Sequence, residues 1–152
     1  MRFRVPPPMQ ARLDEYEGYH RASGNELCHF FGVPSIVTGA GTLLGALPFL
    51  SLASFTITAA ELVAGAIIVF YLVSARALGV VTGALLALLV ALGRNLPFVV
   101  GTVLFFGGWV LQFVGHAVYE KRSPAFARNL LHLLVGPAWL VERAAARLPP
   151  AR

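Results

Sequence analysis

The stretch LVAGAIIVFYLVSARALGVVTGALLALLVALG, residues 62–93, contains a single charged residue, Arg76. A helix crosses the hydrocarbon core of a bilayer in about 17–25 residues, so this run is too long for one crossing and long enough for two that meet at Arg76. The alternation a barrel strand needs is absent, and Leu, Ala, Val and Gly dominate, which makes the reading helical. Working outward, residues 30–60 and 95–119 also lack Asp, Glu, Lys and Arg, and only Glu61, Arg94 and Glu120 separate these runs from their neighbours. The spacing predicts an all-α integral membrane protein with four spans near residues 32–51, 55–75, 77–93 and 96–115. The joint around Arg76 to Gly79 is tight, so a re-entrant pair that dips into the membrane and returns is the alternative for the second and third.

Composition agrees. Charged residues make up 12% of the 152 and hydrophobic residues 57%, against about 25% charged in soluble proteins. In the four-span reading, eleven of the twelve basic residues flank one side: Arg2, Arg4, Arg12 and Arg21 before the first span, Arg76 in the central turn, and Lys121, Arg122, Arg128, Arg143, Arg147 and Arg152 after the fourth. Arg94 alone is opposite. The positive-inside rule then predicts an inner (cytoplasmic) membrane location with both termini in the cytoplasm. The net charge of +5 is accounted for by this topology and by anionic headgroups, and gives no reason to invoke nucleic acid. MRFRVPPPMQ lacks the early apolar core of a cleavable signal, so the first span is expected to direct its own insertion. Cys28, the single cysteine, reads as a buried, inert thiol.

One membrane domain is expected over 1–152, with a cytoplasmic segment (1–31), the spans (32–115) and a C-terminal region (116–152). Residues 11–20 suit a short interfacial helix carrying Tyr16 and Tyr19. Ser23 followed by Glu26 has the capping-box pattern, which starts a new helix near Gly24. Gly41 with Gly45, and Gly79 with Gly83, form small-xxx-small pairs for close helix packing. Pro48 ends the first span and Pro97 opens the fourth. Glu61 lies near an apolar end and reads as a hydrogen-bonded interfacial carboxylate. Ser123 and Pro124 predict the start of an amphipathic helix or helix pair, broken at Gly136 and Pro137. It would set Leu131, Leu134, Trp139 and Leu140 toward the apolar phase and Arg128, Arg143 and Arg147 toward headgroups.

The chemistry is concentrated in four histidines. His20 and His29 precede the first span, His116 ends the fourth and His132 follows it, so the four-span reading gathers all four on one side. They read either as a metal site or as scattered polar caps. Imidazole suits divalent iron, zinc, copper or nickel, and three or four such ligands leave a position for substrate or oxygen. His20 and His29 are nine residues apart and would lie on opposite faces of one continuous helix, so a break near Ser23 and Gly24 is needed to turn both rings to one point. Gln112, His116 and Glu120 share a face at i, i+4 and i+8. Glu120 is a candidate ligand or tautomer-fixing acceptor, and Asn25 a candidate orienter of His29. HFFGVP (29–34) is echoed by HLLVGP (132–137), each with an Asn upstream. The HxxxH and HxxHH boxes of two-iron desaturases, the HExxH motif, hydrolase motifs and Gly-rich phosphate loops are absent.

YHRASGNELCHFFGVP (19–34) together with QFVGHAVYEKRSPAFARNLLHLLVGP (112–137) resembles the family of small membrane proteins that includes the fungal 2-hydroxy fatty acid dioxygenase of phytosphingosine breakdown and its bacterial relatives. The matching blocks cover about forty residues, and the spans between them match in pattern only. The resemblance implies an Fe(II)-dependent dioxygenase that removes one carbon from a 2-hydroxy fatty acid by α-oxidation. Carried over residue by residue, it implies that His20, His29 and His116 bind iron, with His132 and Glu120 as further candidates and Asn25 and Gln112 in support. Arg21, Lys121 or Arg122 would hold the substrate carboxylate. The partners implied are the bilayer, a 2-hydroxy fatty acid and O2, with a homo-oligomer left open. The competing reading is a non-catalytic membrane metal-binding or scaffold protein. A transporter is a third, against which stand spans nearly free of ionisable residues.

Overall fold

The protein is described from a computed structural model, over residues 3–127 and 129–147. Arg2, Arg128 and Arg152, counted among the basic flanks, lie outside the described residues. The described chain is mostly helical: α1 (Pro7–Glu17), α2 (Ser23–Gly45), a two-stranded hairpin of β1 (Pro48–Ser51) and β2 (Thr56–Thr58), α3 (Ala59–Arg94), α4 (Phe98–Val114), a π-helical turn (Gly115–Glu120), a 3-10 turn (Ala125–Ala127) and α5 (His132–Ala146). Three helices are long and apolar enough to cross a membrane: α2, α3, and α4 with its π-helical extension. Their outer faces carry Val69, Val73, Val99, Val103 and Phe106, all exposed, as expected of surface that meets lipid rather than water.

α3 is not straight. Arg76 adopts φ 51° and ψ −125°, and the chain doubles back there. Gly83 packs against Ile68, and Arg94 pairs with Glu61 although 33 residues separate them, a distance of about 50 Å along a straight helix. The long stretch is therefore a hairpin of two antiparallel arms, 59–75 and 77–94. Glu61 also completes a capping box with Thr58 at the start of the first arm, so it is the hydrogen-bonded carboxylate expected.

α2 packs against α4 and against α3. Small residues permit this: a side chain at Gly39 would collide with the backbone at Gly101 and Phe105, and one at Gly32 with Gln112 and the Gly108 carbonyl. Of the expected pairs, Gly41 abuts Val90 on α3, and Gly79 abuts Tyr71 across the hairpin. Thr42 Oγ1 donates 2.6 Å to the Gly93 carbonyl, tying α2 to the second arm.

Several local boundaries differ from expectation. The first apolar helix stops at Gly45 and residues 48–58 form the β-hairpin, because Pro48 cannot donate to a helical carbonyl. α1 starts at Pro7, earlier than residue 11, with proline in its first turn where a missing N–H costs least. The capping box expected at Ser23 is not formed: Ala22 occupies the N-cap. Buried Glu26 instead accepts from Arg143 Nε at 3.0 Å and Arg147 at 2.6 Å.

Those two arginines are thereby tied to a buried carboxylate, while the side chain of Arg147 stays largely exposed. α5 follows them, burying Val135, Ala138, Trp139 and Leu140 against α1, α2 and α3, where Trp139 and Leu140 were expected to face lipid. The helix also runs unbroken through Gly136 and Pro137. The reason is electrostatic as well as apolar, since a buried carboxylate is tolerable only when paired, and Glu26 draws its cations inward.

Candidate metal centre

The loop after α1, the second turn of α2 and the π-helical turn after α4 bring the rings of His20, His29 and His116 together. Each is buried, and one nitrogen from each lies within 4.8 Å of the other two. Ring centroids are 4.3 Å apart for His20 and His29, 4.8 Å for His20 and His116, and 5.0 Å for His29 and His116. A break between α1 and α2 does turn the first two toward one point, as the nine-residue spacing required.

The tautomers follow from the partners. His20 Nδ1 stands 2.7 Å from the Tyr16 carbonyl and His29 Nδ1 stands 2.9 Å from the Asn25 carbonyl, each four residues upstream. A carbonyl can only accept, so both Nδ1 atoms carry the proton and donate. Both Nε2 atoms are left as lone pairs, and they face each other at 3.0 Å. That arrangement is repulsive unless a cation stands against both. Metal–nitrogen bonds of about 2.0–2.1 Å separate neighbouring ligand nitrogens by about 3.0–3.4 Å, so the spacing suits a shared metal. Anchoring the distal nitrogen on a carbonyl is also how metal-binding histidines are commonly oriented.

A proton is a poor substitute. Burial, then the charge of neighbouring His29, pushes His20 down to about 3, despite the opposing hydrogen bond to the Tyr16 carbonyl. The ring is therefore neutral at physiological pH and free to ligate. Tyr16 stacks on it with centroids 4.0 Å apart and planes 13° apart, and Trp139 packs 5.2 Å away. Burial raises the Tyr16 phenol well above its usual range, so it stays neutral too.

Glu120 is within the site but does not aim at the three nitrogens. Its Oε1 accepts from the Ala22 backbone N–H at 2.8 Å and from Asn25 Nδ2 at 3.3 Å. It straps the end of the π-helical turn to the start of α2, holding Asn25 and hence the carbonyl that orients His29. The expected α-helical stripe of Gln112, His116 and Glu120 is interrupted by that turn, whose i→i+5 pattern rotates Glu120 out of line. Lys121, with φ 53°, ends it.

The three rings line a cavity of about 300 Å³ whose other walls include Val33, Val37, Trp109, Gln112, His132 and Pro137. His132 thus reaches the cavity but not the trio. Its Nε2 is 3.4 Å from Glu15 Oε2, close enough for an ion pair yet without hydrogen-bond geometry, so neither ring nitrogen is satisfied among the described residues. Gln112 Nε2 and His116 Nδ1 are likewise buried without a partner there. Arg21, Lys121 and Arg122 are exposed and do not line this cavity. Cys28 is half-buried.

Sequence reasoning missed Tyr16 and Trp139 as the rings packed against His20 and Glu26 as the anchor of α5. The four-residue step shared by Tyr16–His20 and Asn25–His29 was a usable signal, because it sets a carbonyl under each ring. Nothing in local pattern announces Trp139, which arrives from the far end of the chain.

Fold and site together define a helical protein with membrane-spanning character and a buried three-histidine centre able to hold a metal. The sequence profile of the family described as "2-hydroxy-palmitic acid dioxygenase Mpo1-like" matches residues 8–148. The chain is also 34% identical over 131 residues to the 2-hydroxy-palmitic acid dioxygenase MPO1 of Saccharomyces cerevisiae, an alignment covering 84% of this chain and 73% of the yeast protein. No solved structure matches. The chain belongs to the Mpo1-like family.

Proposed function

We propose that the protein is an Fe(II)-dependent dioxygenase that converts 2-hydroxy fatty acids to fatty acids one carbon shorter. The observation that carries the reading is the pair of opposed Nε2 lone pairs of His20 and His29, with His116 beside them in a mostly apolar cavity. The name of the yeast relative supplies the substrate class. The reaction balances without a further reductant: RCH(OH)COOH + O2 gives RCOOH + CO2 + H2O, four electrons leaving the acid and four entering O2. Iron supplies redox chemistry with O2 that zinc, having no accessible second oxidation state, does not.

The residues then divide the work. His20, His29 and His116 hold the metal, and the Tyr16 and Asn25 carbonyls keep the first two in the ligating tautomer. Gln112 Nε2 and His132, buried with unused hydrogen-bonding capacity, hold the hydroxyl and carboxylate of the acid, which are the groups able to satisfy them. Arg21, Lys121 and Arg122 draw the carboxylate toward the site from the interface. Trp139, Trp109 and Val33 limit water. Glu120 and Asn25 position His29.

In the same reading α2, the two arms of α3, and α4 make four crossings, with the histidines, Arg76 and both termini on the cytoplasmic side of an inner membrane. Each arm of α3 has about the minimum length for a crossing. The positive-inside distribution supports this orientation.

The test is anaerobic loading of the purified protein with Fe(II), addition of 2-hydroxyhexadecanoate and O2, and mass spectrometry of the products. Pentadecanoate and CO2 are expected, with one O2 consumed per CO2 and no 2-oxo acid required. Iron-bound protein that gives no O2-dependent loss of carbon would leave the non-catalytic metal-binding reading in its place.

A further inference from the structure

A second cavity, of about 140 Å³, adjoins the first and shares three of its walls, Val33, Val37 and Pro137. It is built from three helix faces, and each contributes the same i, i+3, i+4, i+7 stripe: 30, 33, 34 and 37 on α2; 82, 85, 86 and 89 on the second arm of α3; 137, 140, 141 and 144 on α5. Three stripes of core-facing spacing would ordinarily interlock, yet here they stand apart around open space. Thr82 is the sole hydroxyl among the described lining residues, and it donates internally to the Leu78 carbonyl at 2.8 Å. The groove therefore offers a ligand no unused side-chain hydrogen-bond donor.

Direction adds to composition. His29, Val33 and Val37 follow one another at four-residue steps along α2, so the path from the metal-site rings to the groove runs along that helix for about 12 Å. Polar groups cluster at the histidine end and apolar walls continue beyond it. A molecule with an oxygen-bearing head and an unbranched alkyl tail matches that order.

We infer that the groove between α2, the second arm of α3 and α5 binds the alkyl tail of the 2-hydroxy acid whose head sits in the histidine cavity, and that Val37 and Leu89 set the chain length accepted. The inference rests on the proposed function. α5 is then a wall of the binding site, held in place by the Arg143 and Arg147 pairs to Glu26, and not a helix lying free on the membrane.

The decisive experiment uses iron-loaded protein in lipid nanodiscs under anaerobic conditions, with 2-hydroxyhexadecanoate bearing a diazirine midway along its chain. Peptide mapping is expected to find adducts on Leu86, Leu89 or Val141, suppressed by unlabelled 2-hydroxyhexadecanoate and insensitive to added phospholipid. Adducts confined to outward residues such as Val73 or Val99, or displaced by phospholipid, overturn the inference. In parallel, Val37→Trp and Leu89→Phe are expected to shift the kcat/KM ratio by about tenfold or more from the sixteen-carbon toward the ten-carbon acid, with iron content unchanged. An unchanged length profile in either folded variant also overturns it. Wild-type turnover in the same preparation separates the two claims: turnover with misplaced adducts removes the tail site alone, whereas no turnover removes the parent reading and this one with it.

Discussion

The lone pairs of His20 and His29, 3.0 Å apart, make a demand that the rest of the site must meet. Replacing His20, His29 or His116 by Ala is expected to lower bound iron at least tenfold by elemental analysis, while His132→Ala retains it. Unchanged stoichiometry in all three would remove the metal centre. The metal-free protein should also respond to acid. His20 is held at about 3 when folded, chiefly by burial, against about 6.5 in an unfolded chain. Between those values the unfolded chain binds more protons, so the contribution of His20 to stability is fully present above about pH 6.5 and is lost as pH drops toward 3. Melting of metal-free protein in detergent is expected at a lower temperature near pH 5 than near pH 7.5, with a shallower slope in His20→Asn. A slope identical in that variant would assign the effect elsewhere.

At the scale of elements, two junctions shape the fold, and the first of them lies at the site. Glu120 joins the π-helical turn to α2 across 98 residues of sequence. Glu120→Ala leaves the Ala22 N–H without its acceptor, at a cost of about 1–3 kcal/mol, and the Asn25 amide with the Tyr19 carbonyl alone; it is expected to weaken metal binding about 10–100-fold. Glu120→Gln keeps an accepting oxygen and should retain most of both, by thermal melting and metal titration. The second junction is Arg76, whose positive φ stores about 1–3 kcal/mol in a non-glycine residue. Arg76→Gly is expected to raise resistance to denaturation by a comparable amount, and a loss of stability would show the arginine side chain to matter more than its backbone. Legibility differs between these junctions. The tight joint at Arg76 stood out as the one charge in a long apolar run, whereas the role of Glu120 was misdirected by an α-helical stripe that the π-turn interrupts.

For the whole molecule, the question is whether the hairpin arms of α3 cross the bilayer. Cysteines placed at Arg76 and Arg122 in a Cys28→Ser background are expected to label from the cytoplasmic side of membrane vesicles, and those at Ser51 and Asn95 from the other. An Arg76→Cys protein that labels from neither side, with the other three as expected, would point to the re-entrant pair. The packing of α5 has a matching consequence. Because Glu26 holds Arg143 and Arg147, Glu26→Ala is expected to loosen α5 and speed hydrogen exchange across residues 132–146.

Sequence by itself determined the helical, membrane-type character, the four candidate histidines and the break that lets His20 and His29 converge. Those features are local: apolar run length, charge position and residue spacing act within a few turns of chain. Only tertiary structure decided that three histidines share a centre while His132 faces their cavity, that Glu120 is a strap, and that α5 is a wall turned inward by Glu26. These depend on contacts between residues about a hundred positions apart, and on a π-turn ended by a left-handed lysine. Local preference does not encode either, because their energies come from neighbours that only the folded chain supplies.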